Sequence, residues 1–490
     1  MNDNKKCRMS EQQTLKQKTA KGLFWGGISN GVQQLLNMFF GICLARLLSP
    51  SDYGLVGMLY IFSLIASTLQ ESGFTAALVN KKNVNHADYN AVFWFSTLMG
   101  LILYVVLFFC APLIADYYHQ PKLTPLARFS FLGFVISSVG IAHNAYLFRN
   151  LKVKQNAMVA MLSLIVSGTI GIVMAFYGMA YWGLATQSIV FVTCTTIGRS
   201  CLSGFRPTLH IDFTPLRGML SFSSKMLMTN IFTNINNNIL SVILGRYYTP
   251  KEVGFYNQAN KWNYMGFSTI LGMINGVAQP VLHNVSDDGE RQIRVFRKML
   301  RFTSLIAFPC MFGLSLVAPQ LITIAVTNKW AESAVLMQAI CVGGAFLPLQ
   351  NLYYNLILSK GRSDICLWNT IVFGILQIVV VLLCRNEGMQ VMVKAYVAIN
   401  MMWLLVWQYW AWKEIKLQLL QALRDVVPYA TIAGICIVGA GLAASIFKNV
   451  YIVLAVKVLV AIVLYILLMY SSRSVTFREC MDYFLKRNKG

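Results

Sequence analysis

Apolar residues come in long runs, and most charged residues collect in the short gaps between them. Runs of about 20 residues or more, the length a helix needs to cross hydrocarbon, fall at 23–47, 53–79, 88–115, 124–147, 154–177 and 180–203. A second set falls at 219–245, 253–279, 299–326, 332–358, 365–384 and 389–411, and two more runs lie at 425–446 and 450–471. The pattern predicts an all-α polytopic membrane protein with about 14 transmembrane helices. The gaps are too short for a soluble domain; the most polar of them, Ser286–Lys298, joins the eighth and ninth spans.

The polar positions inside the runs repeat. "NGVQQLLNMFFGICLARLLSPSDYG" runs from Asn30 to Gly54, and "NIFTNINNNILSVILGRYYTPKEVG" runs from Asn230 to Gly254. At this 200-residue offset, without a gap, Asn30 meets Asn230, Gln34 meets Asn234 and Asn37 meets Asn237. Arg46, Pro50, Asp52 and Gly54 likewise meet Arg246, Pro250, Glu252 and Gly254. The third and ninth spans extend the echo, with "FFCAPLIADYY" at Phe108–Tyr118 and "SLVAPQLITIA" at Ser315–Ala325. A duplicated bundle of six spans follows, and because six is even both copies enter the membrane in the same sense. Such parallel repeats are related by a pseudo-twofold axis along the membrane normal, with substrate expected between the halves. The expected organisation is a basic tail at 1–22, a six-helix lobe at 23–210, a second six-helix lobe at 211–411, and two extra helices with a basic tail at 412–490.

Asn30, Gln33, Gln34 and Asn37 fall at i, i+3, i+4 and i+7; Asn230, Asn234, Asn237 and Ser241 fall at i, i+4, i+7 and i+11. Each set makes one helix face. Lipid offers an amide no hydrogen bond, so each stripe must face protein or water. Interhelical bonding, worth about 0.6 kcal/mol per bond, is the alternative to a shared polar cavity. Lys261 lies about 12 Å of helix rise inside the eighth span, with Asn257, Gln258 and Tyr264 beside it. Lys225 precedes the second stripe by five residues. Cations next to amides suit an anionic guest; a structural partner such as Glu71 is the alternative for Lys261. Glu71 is the one acid placed well inside a span and is the candidate for ion coupling. Gln350, Asn351, Tyr354, Asn355, His143 and Asn144 are weaker polar signals. The paired Arg-x-x-x-Pro, with an acid two residues after the proline, ends one helix and caps the next.

Composition sharpens the class. The chain is 57% hydrophobic and 12% charged, with mean hydropathy +0.57, against about 25% charged in soluble proteins. The net charge of +23 raises a nucleic-acid partner, and its distribution argues against one. With the N-terminus placed inside, inner loops and span ends hold 30 of the 41 Lys and Arg, outer ones hold 10, and Lys261 remains. That bias orients a multi-pass protein with both termini cytoplasmic. The first run is too long for a removable signal peptide. The eleven cysteines show no C-x-x-C pair and the five histidines are scattered, so no metal site is expected. No Walker A sequence, H-E-x-x-H or supported nucleophile motif occurs, so no catalytic residue and no cofactor are expected. Uphill movement would draw on an ion gradient, the substrate's own gradient or its downstream consumption.

Several stretches together carry a family resemblance. They are "GLFWGGISNGVQQLLNMFFGICLARLLSPSDYGLVGM", "ESGFTAALVNKK", "YNAVFW" at Tyr89–Trp94, "APLIADYYHQPKL" at Ala111–Leu123 and "GRYYTPKEVGFYNQANK" at Gly245–Lys261. The chain resembles the polysaccharide-biosynthesis membrane proteins of the multidrug/oligosaccharidyl-lipid/polysaccharide flippase superfamily, and within it the Wzx-type exporters of the colanic-acid and teichuronic-acid kind. The resemblance implies two six-helix lobes forming a V, two extra helices and alternating access. It implies an undecaprenyl-diphosphate-linked oligosaccharide turned from the cytoplasmic to the periplasmic leaflet of a bacterial inner membrane, for O-antigen, capsule or exopolysaccharide. A polysaccharide polymerase and chain-length proteins are then expected partners beside membrane lipids. Lys261 and Lys225 would attract the diphosphate, and the amide stripes would solvate the sugars. A drug/cation antiporter, a peptidoglycan-precursor flippase and a non-transporting scaffold for glycan assembly remain alternatives.

Overall fold

Two serine- or threonine-led boxes set the first turns of the repeat. Ser49 and Asp52 bind reciprocally: the Ser49 amide and hydroxyl donate to Asp52 Oδ2 at 2.9 and 2.6 Å, and the Asp52 amide donates back to Ser49 Oγ at 3.3 Å. Two hundred residues later Thr249 and Glu252 do the same at 2.9, 2.8 and 3.4 Å. Each box supplies acceptors to helix-start amides that have none inside the helix, and proline at the first helical position has no amide to satisfy.

The computed structural model describes residues 31–487 apart from 72–73, 76–77, 79–80, 82–83 and 473; for Pro215, 217–226, Thr229 and 483–487 it describes the backbone alone. Besides helical residues 74–75 and 78, sixteen α-helices follow among the described residues. They are α1 (31–47), α2 (Pro50–Glu71), α3 (His86–Tyr117), α4 (Leu123–Arg149), α5 (Val153–Phe176), α6 (Tyr181–Leu202), α7 (Thr214–Tyr247) and α8 (Pro250–Asn284). Then come α9 (Gly289–Val326), α10 (Ala331–Gly344), α11 (Leu347–Ser359), α12 (Ser363–Leu383), α13 (Met389–Ile415), α14 (Leu419–Ala444), α15 (Val450–Ser471) and α16 (Val475–Arg487). Helices long and apolar enough to cross a membrane number 11 among the described residues, with α10 and α11 joined as one span at Asn328–Ser359. The expected count of fourteen is not established. The three other expected spans fall on α1, α6 and α7, all helical. α1 is described only from residue 31, and α7 carries the second amide stripe, which lowers its hydropathy.

The chain divides into two compact units, Met1–Asn238 and Ile239–Gly490, with the boundary inside α7. In unit 1, α3 packs on α4, α5 on α6, and α4 on α6, with α2 against α3, α4 and α6. Residues 203–213, between α6 and α7, lie along one face of α3. His86, Asn90 and Trp94, at i, i+4 and i+8, hold this segment by its main chain. His86 Nε2 meets Arg206 O at 2.8 Å, Asn90 Nδ2 donates to His210 O at 2.6 Å, and Trp94 Nε1 donates to Thr208 O at 2.7 Å. At its end the hydroxyl and amide of Thr214 hold the Asp212 carboxyl below its usual range.

In unit 2, α9 is the central strut, packing on α8, α10, α14 and α15. It contains Pro309 and Pro319, as α3 in unit 1 contains Pro112. A proline leaves the carbonyl four residues earlier without its helical donor, and in hydrocarbon an unsatisfied carbonyl costs several kcal/mol. Pro112 frees Phe108 O, which accepts from Arg128 Nε of α4 at 3.4 Å while the guanidinium lies 4.3 Å over the Phe108 ring. Pro309 frees Leu305 O, which accepts from the Tyr465 hydroxyl of α15 at 2.8 Å. Beside Pro319, Lys457 Nζ of α15 donates to Leu316 O at 3.0 Å and to Gln320 Oε1 at 2.9 Å. Lys457, seven residues past the start of α15, thus ties that helix to α9 beside Pro319.

Candidate functional site

The first stripe sits on α1. Gln34 and Asn37 are exposed, Gln33 is half-buried and bonded, and Asn30 lies outside the described residues. The second stripe sits on α7. Asn230 and Asn237 are exposed. Asn234 is half-buried and donates from Nδ2 to Thr68 Oγ1 of α2 at 2.8 Å, and its main-chain oxygen accepts from Asn238 Nδ2 at 2.9 Å. One amide of the second stripe therefore does interhelical bonding while its neighbours one turn above and below stay open. The side chain of Lys225 lies outside the described residues. Asn236, which the spacing argument passes over, is buried and bonded.

The second polar patch, on α8, separates by helix face. Lys261 is exposed and forms no ion pair among the described residues; Asn257 and Tyr264, at −4 and +3, share its face. Asn257 Oδ1 accepts from Ser241 Oγ at 3.0 Å, which ties the lower end of the stripe on α7 to this patch, while Asn257 Nδ2 has no partner among the described residues. Gln258 points elsewhere: it is 2% exposed and its Oε1 has no partner among the described residues. One helix position moves a side chain by about 100°, so sequence neighbours part company. Trp262 Nε1 and Asn263 Oδ1 are also buried without partners among the described residues. Asn263 is 3% exposed against Gly344 of α10, where a Cβ would collide with Asn263 Oδ1. Glycine is what lets α10 approach α8 there. Four unpartnered polar atoms within two turns is unusual, because buried polar groups normally find protein or water.

Glu71 is the last residue of α2, exposed and in no ion pair among the described residues. It lies within electrostatic reach of Arg199 on α6. Arg199 Nε donates to Asn156 Oδ1 at 3.0 Å, and Asn156 Nδ2 approaches Asn144 Oδ1 at 3.4 Å. Sequence reasoning treated Arg199 as an orienting charge; the only hint of more was its position three residues inside a helix end. It also passed over Asp425. This carboxylate is buried on α14, gripped by Arg297 at 2.6 and 3.2 Å with Arg301 at 3.7 Å. Arg297 and Arg301, spaced i and i+4 on α9, were the available signal.

Among the described residues no group of three or more His, Cys, Asp and Glu side chains comes together. Unit 2 also contains a cavity of about 310 Å³ between α9, α14 and α15, lined by residues including Gly313, Val317, Cys436, Lys457 and Ala461, and none of the predicted site residues borders it.

Comparison with known proteins brings these features together. A family model described as "Polysaccharide biosynthesis protein" matches residues 43–335. The lipopolysaccharide biosynthesis protein WzxC of Escherichia coli (strain K12) is 25% identical over 358 residues, 72% of this chain and 72% of its own length. The teichuronic acid biosynthesis protein TuaB of Bacillus subtilis (strain 168) is 20% identical over 367 residues, 71% of this chain and 72% of its own. Among solved structures, the lipid II flippase MurJ in an inward closed conformation aligns with a TM-score of 0.73 at 14% identity, covering 93% of this chain and 99% of that one. An inward-facing multidrug resistance MATE family transporter aligns with a TM-score of 0.64 at 16% identity, covering 78% and 94%. The structural likenesses establish the fold.

Proposed function

This chain belongs to the polysaccharide biosynthesis protein family, and from that premise we propose that it is a flippase for undecaprenyl-diphosphate-linked oligosaccharide. It moves the headgroup from the cytoplasmic to the periplasmic leaflet of a bacterial inner membrane by alternating access, for a surface polysaccharide. Both termini are cytoplasmic, residues 23–210 and 211–411 are the two lobes, and 412–490 are additional. A polymerase and chain-length proteins act on the delivered glycan, and the chain itself performs no bond chemistry.

The observation that supports this reading is the exposure of Gln34, Asn37, Asn230 and Asn237 on helices of a multi-pass membrane protein. Open amides in such a chain need an aqueous or hydroxylated neighbour. Sugars supply donors and acceptors in the same proportion as Asn and Gln. Lys261, exposed and without an ion pair among the described residues, supplies positive charge for the diphosphate. Lys225 and Asn30 extend the same set. Asn257 faces the guest with Lys261, whereas Gln258 is buried away from them. Glu71 is the candidate for proton or sodium coupling.

Lys261→Ala in a strain lacking its own exporter should insert normally and fail to deliver surface glycan. Normal glycan at equal protein level would remove Lys261 from the site. Failure of the wild-type chain to deliver any glycan, or to flip a lipid-linked oligosaccharide in proteoliposomes, would remove the transport reading itself.

A further inference from the structure

In unit 1 the guanidinium of Arg199 is held by a neutral side chain rather than by main-chain carbonyls. Arg149, Lys152 and Arg206 are committed to main-chain carbonyls: Arg149 to Leu78 and Lys81, Lys152 to Leu202, and Arg206 to Ser200. Cations at such helix ends and loops are ordinary fixtures. Arg199 is held differently. Its Nε donates to the neutral side chain of Asn156 at 3.0 Å, and Asn156 is steadied in turn by Asn144 at 3.4 Å. Its terminal NH2 groups have no hydrogen-bond partner among the described residues, and the residue is half-buried. Three helices therefore fix the orientation of the guanidinium without neutralising it: α4 through Asn144, α5 through Asn156 and α6 through Arg199 itself.

A guanidinium fixed at Nε offers its outer N–H edge, the geometry that takes two oxygens of a phosphate at once. The nearby anion is Glu71, exposed at the end of α2 and forming no ion pair among the described residues. It compensates charge from a distance without occupying the donors. A counter-charge held that loosely can be exchanged for a better one. Arg199 lies on the side that the excess of Lys and Arg assigns to the cytoplasm, where the headgroup of a newly made lipid-linked glycan would arrive.

We propose that Arg199, oriented by Asn156 and Asn144, is a phosphate-binding subsite of unit 1, and that Glu71 is the resident anion which the substrate's diphosphate displaces. The proposal rests on the flippase reading above and adds to it a loading point distinct from Lys261. It also gives Glu71 a role set by competition for one cation. The same phosphate chemistry is carried by ordinary anionic phospholipids, so the test must tell the two sources apart.

The test uses the purified full chain in nanodiscs of neutral lipid, with undecaprenyl diphosphate and phosphatidylglycerol titrated separately. Arg199→Gln should weaken undecaprenyl-diphosphate binding by about tenfold or more, the loss expected for one charge-assisted bidentate contact. Glu71→Gln should strengthen it by roughly two- to fivefold, the range of an exposed ion pair. In the double variant the gain from Glu71→Gln should vanish, because the two act through one cation. Phosphatidylglycerol binding should change little throughout. Equal loss of both ligands in Arg199→Gln would reduce the site to a general contact with anionic lipid and overturn the proposal. Unchanged undecaprenyl-diphosphate binding, or a Glu71→Gln gain that survives without Arg199, would also overturn it. If Arg199→Gln yields no folded protein, Asn156→Leu tests the same point by releasing the orienting bond, and wild-type affinity there would count against the subsite. A wild-type chain that binds no undecaprenyl diphosphate would instead count against the flippase reading.

Discussion

Pro112 in unit 1 and Pro319 in unit 2 belong to the same Ala-Pro pair in the two copies of the repeat, yet the polar groups beside them are met by different helices. In unit 1 the donor, Arg128, comes from α4, the helix that follows the proline-containing one. In unit 2 the helix following α9 is α10, which contains no Lys or Arg. The donors there come from α15, outside the duplicated part of the chain, through Lys457 and Tyr465. α14 adds Asp425, which grips Arg297 and Arg301 nearer the start of α9. The two additional helices thus hold α9 at three levels along its length. The difference teaches that a duplicated bundle can lose a structural cation from one copy when a later helix supplies another. It also gives α14 and α15 a stabilising role in unit 2 that unit 1 fulfils from within.

The largest test of that asymmetry is Asp425→Ala. It removes the acid from between two arginines, and breaking a buried pair by deleting one partner costs about 3–5 kcal/mol. Thermal unfolding of the purified chain should shift sharply downward, with proteolysis beginning in unit 2. Unfolding like that of the wild type would mean that α14 is not needed to hold α9.

Next come the cations that donate beside the helix prolines. Arg128→Met and Lys457→Met each leave helix carbonyls or an amide without a charged donor, at about 1.5–3 kcal/mol. The comparison predicts that the two variants destabilise to a similar degree but open different units, as hydrogen exchange mapped by peptide would show. Tyr465→Phe removes a neutral bond and should cost about 1 kcal/mol. If Lys457→Met loosened nothing in α9, the equivalence of the two cations would fail.

How much of this could be read from the chain alone differs between fold and site. The repeat, the helical class and the two capping boxes follow from local spacing and hydropathy, which a helix enforces wherever it lies. The azimuth of a helix is another matter: it depends on what packs around it. Spacing grouped Asn257, Gln258 and Lys261, but packing left Lys261 open and turned Gln258 inward. Spacing likewise joined Asn230, Asn234 and Asn237, while the nearness of Thr68 engaged Asn234 alone. Arg199, Asp425 and Lys457 were legible as charges but not as partners, because each meets a residue 43 to 141 positions away. No periodicity reports such a contact.

The smallest test concerns the one place where the units should behave alike. Ser49→Ala and Thr249→Ala each remove a side-chain acceptor and a donor from matched capping boxes. An N-cap of this kind is worth about 1 kcal/mol, and both boxes are exposed, so neither variant leaves a cavity. Equal small losses in thermal stability would show that the copies still share their local turn physics and differ only in how their proline-containing helices are held. A loss confined to one box would place the asymmetry already at the turn, and the divergence between the units would then begin before either proline.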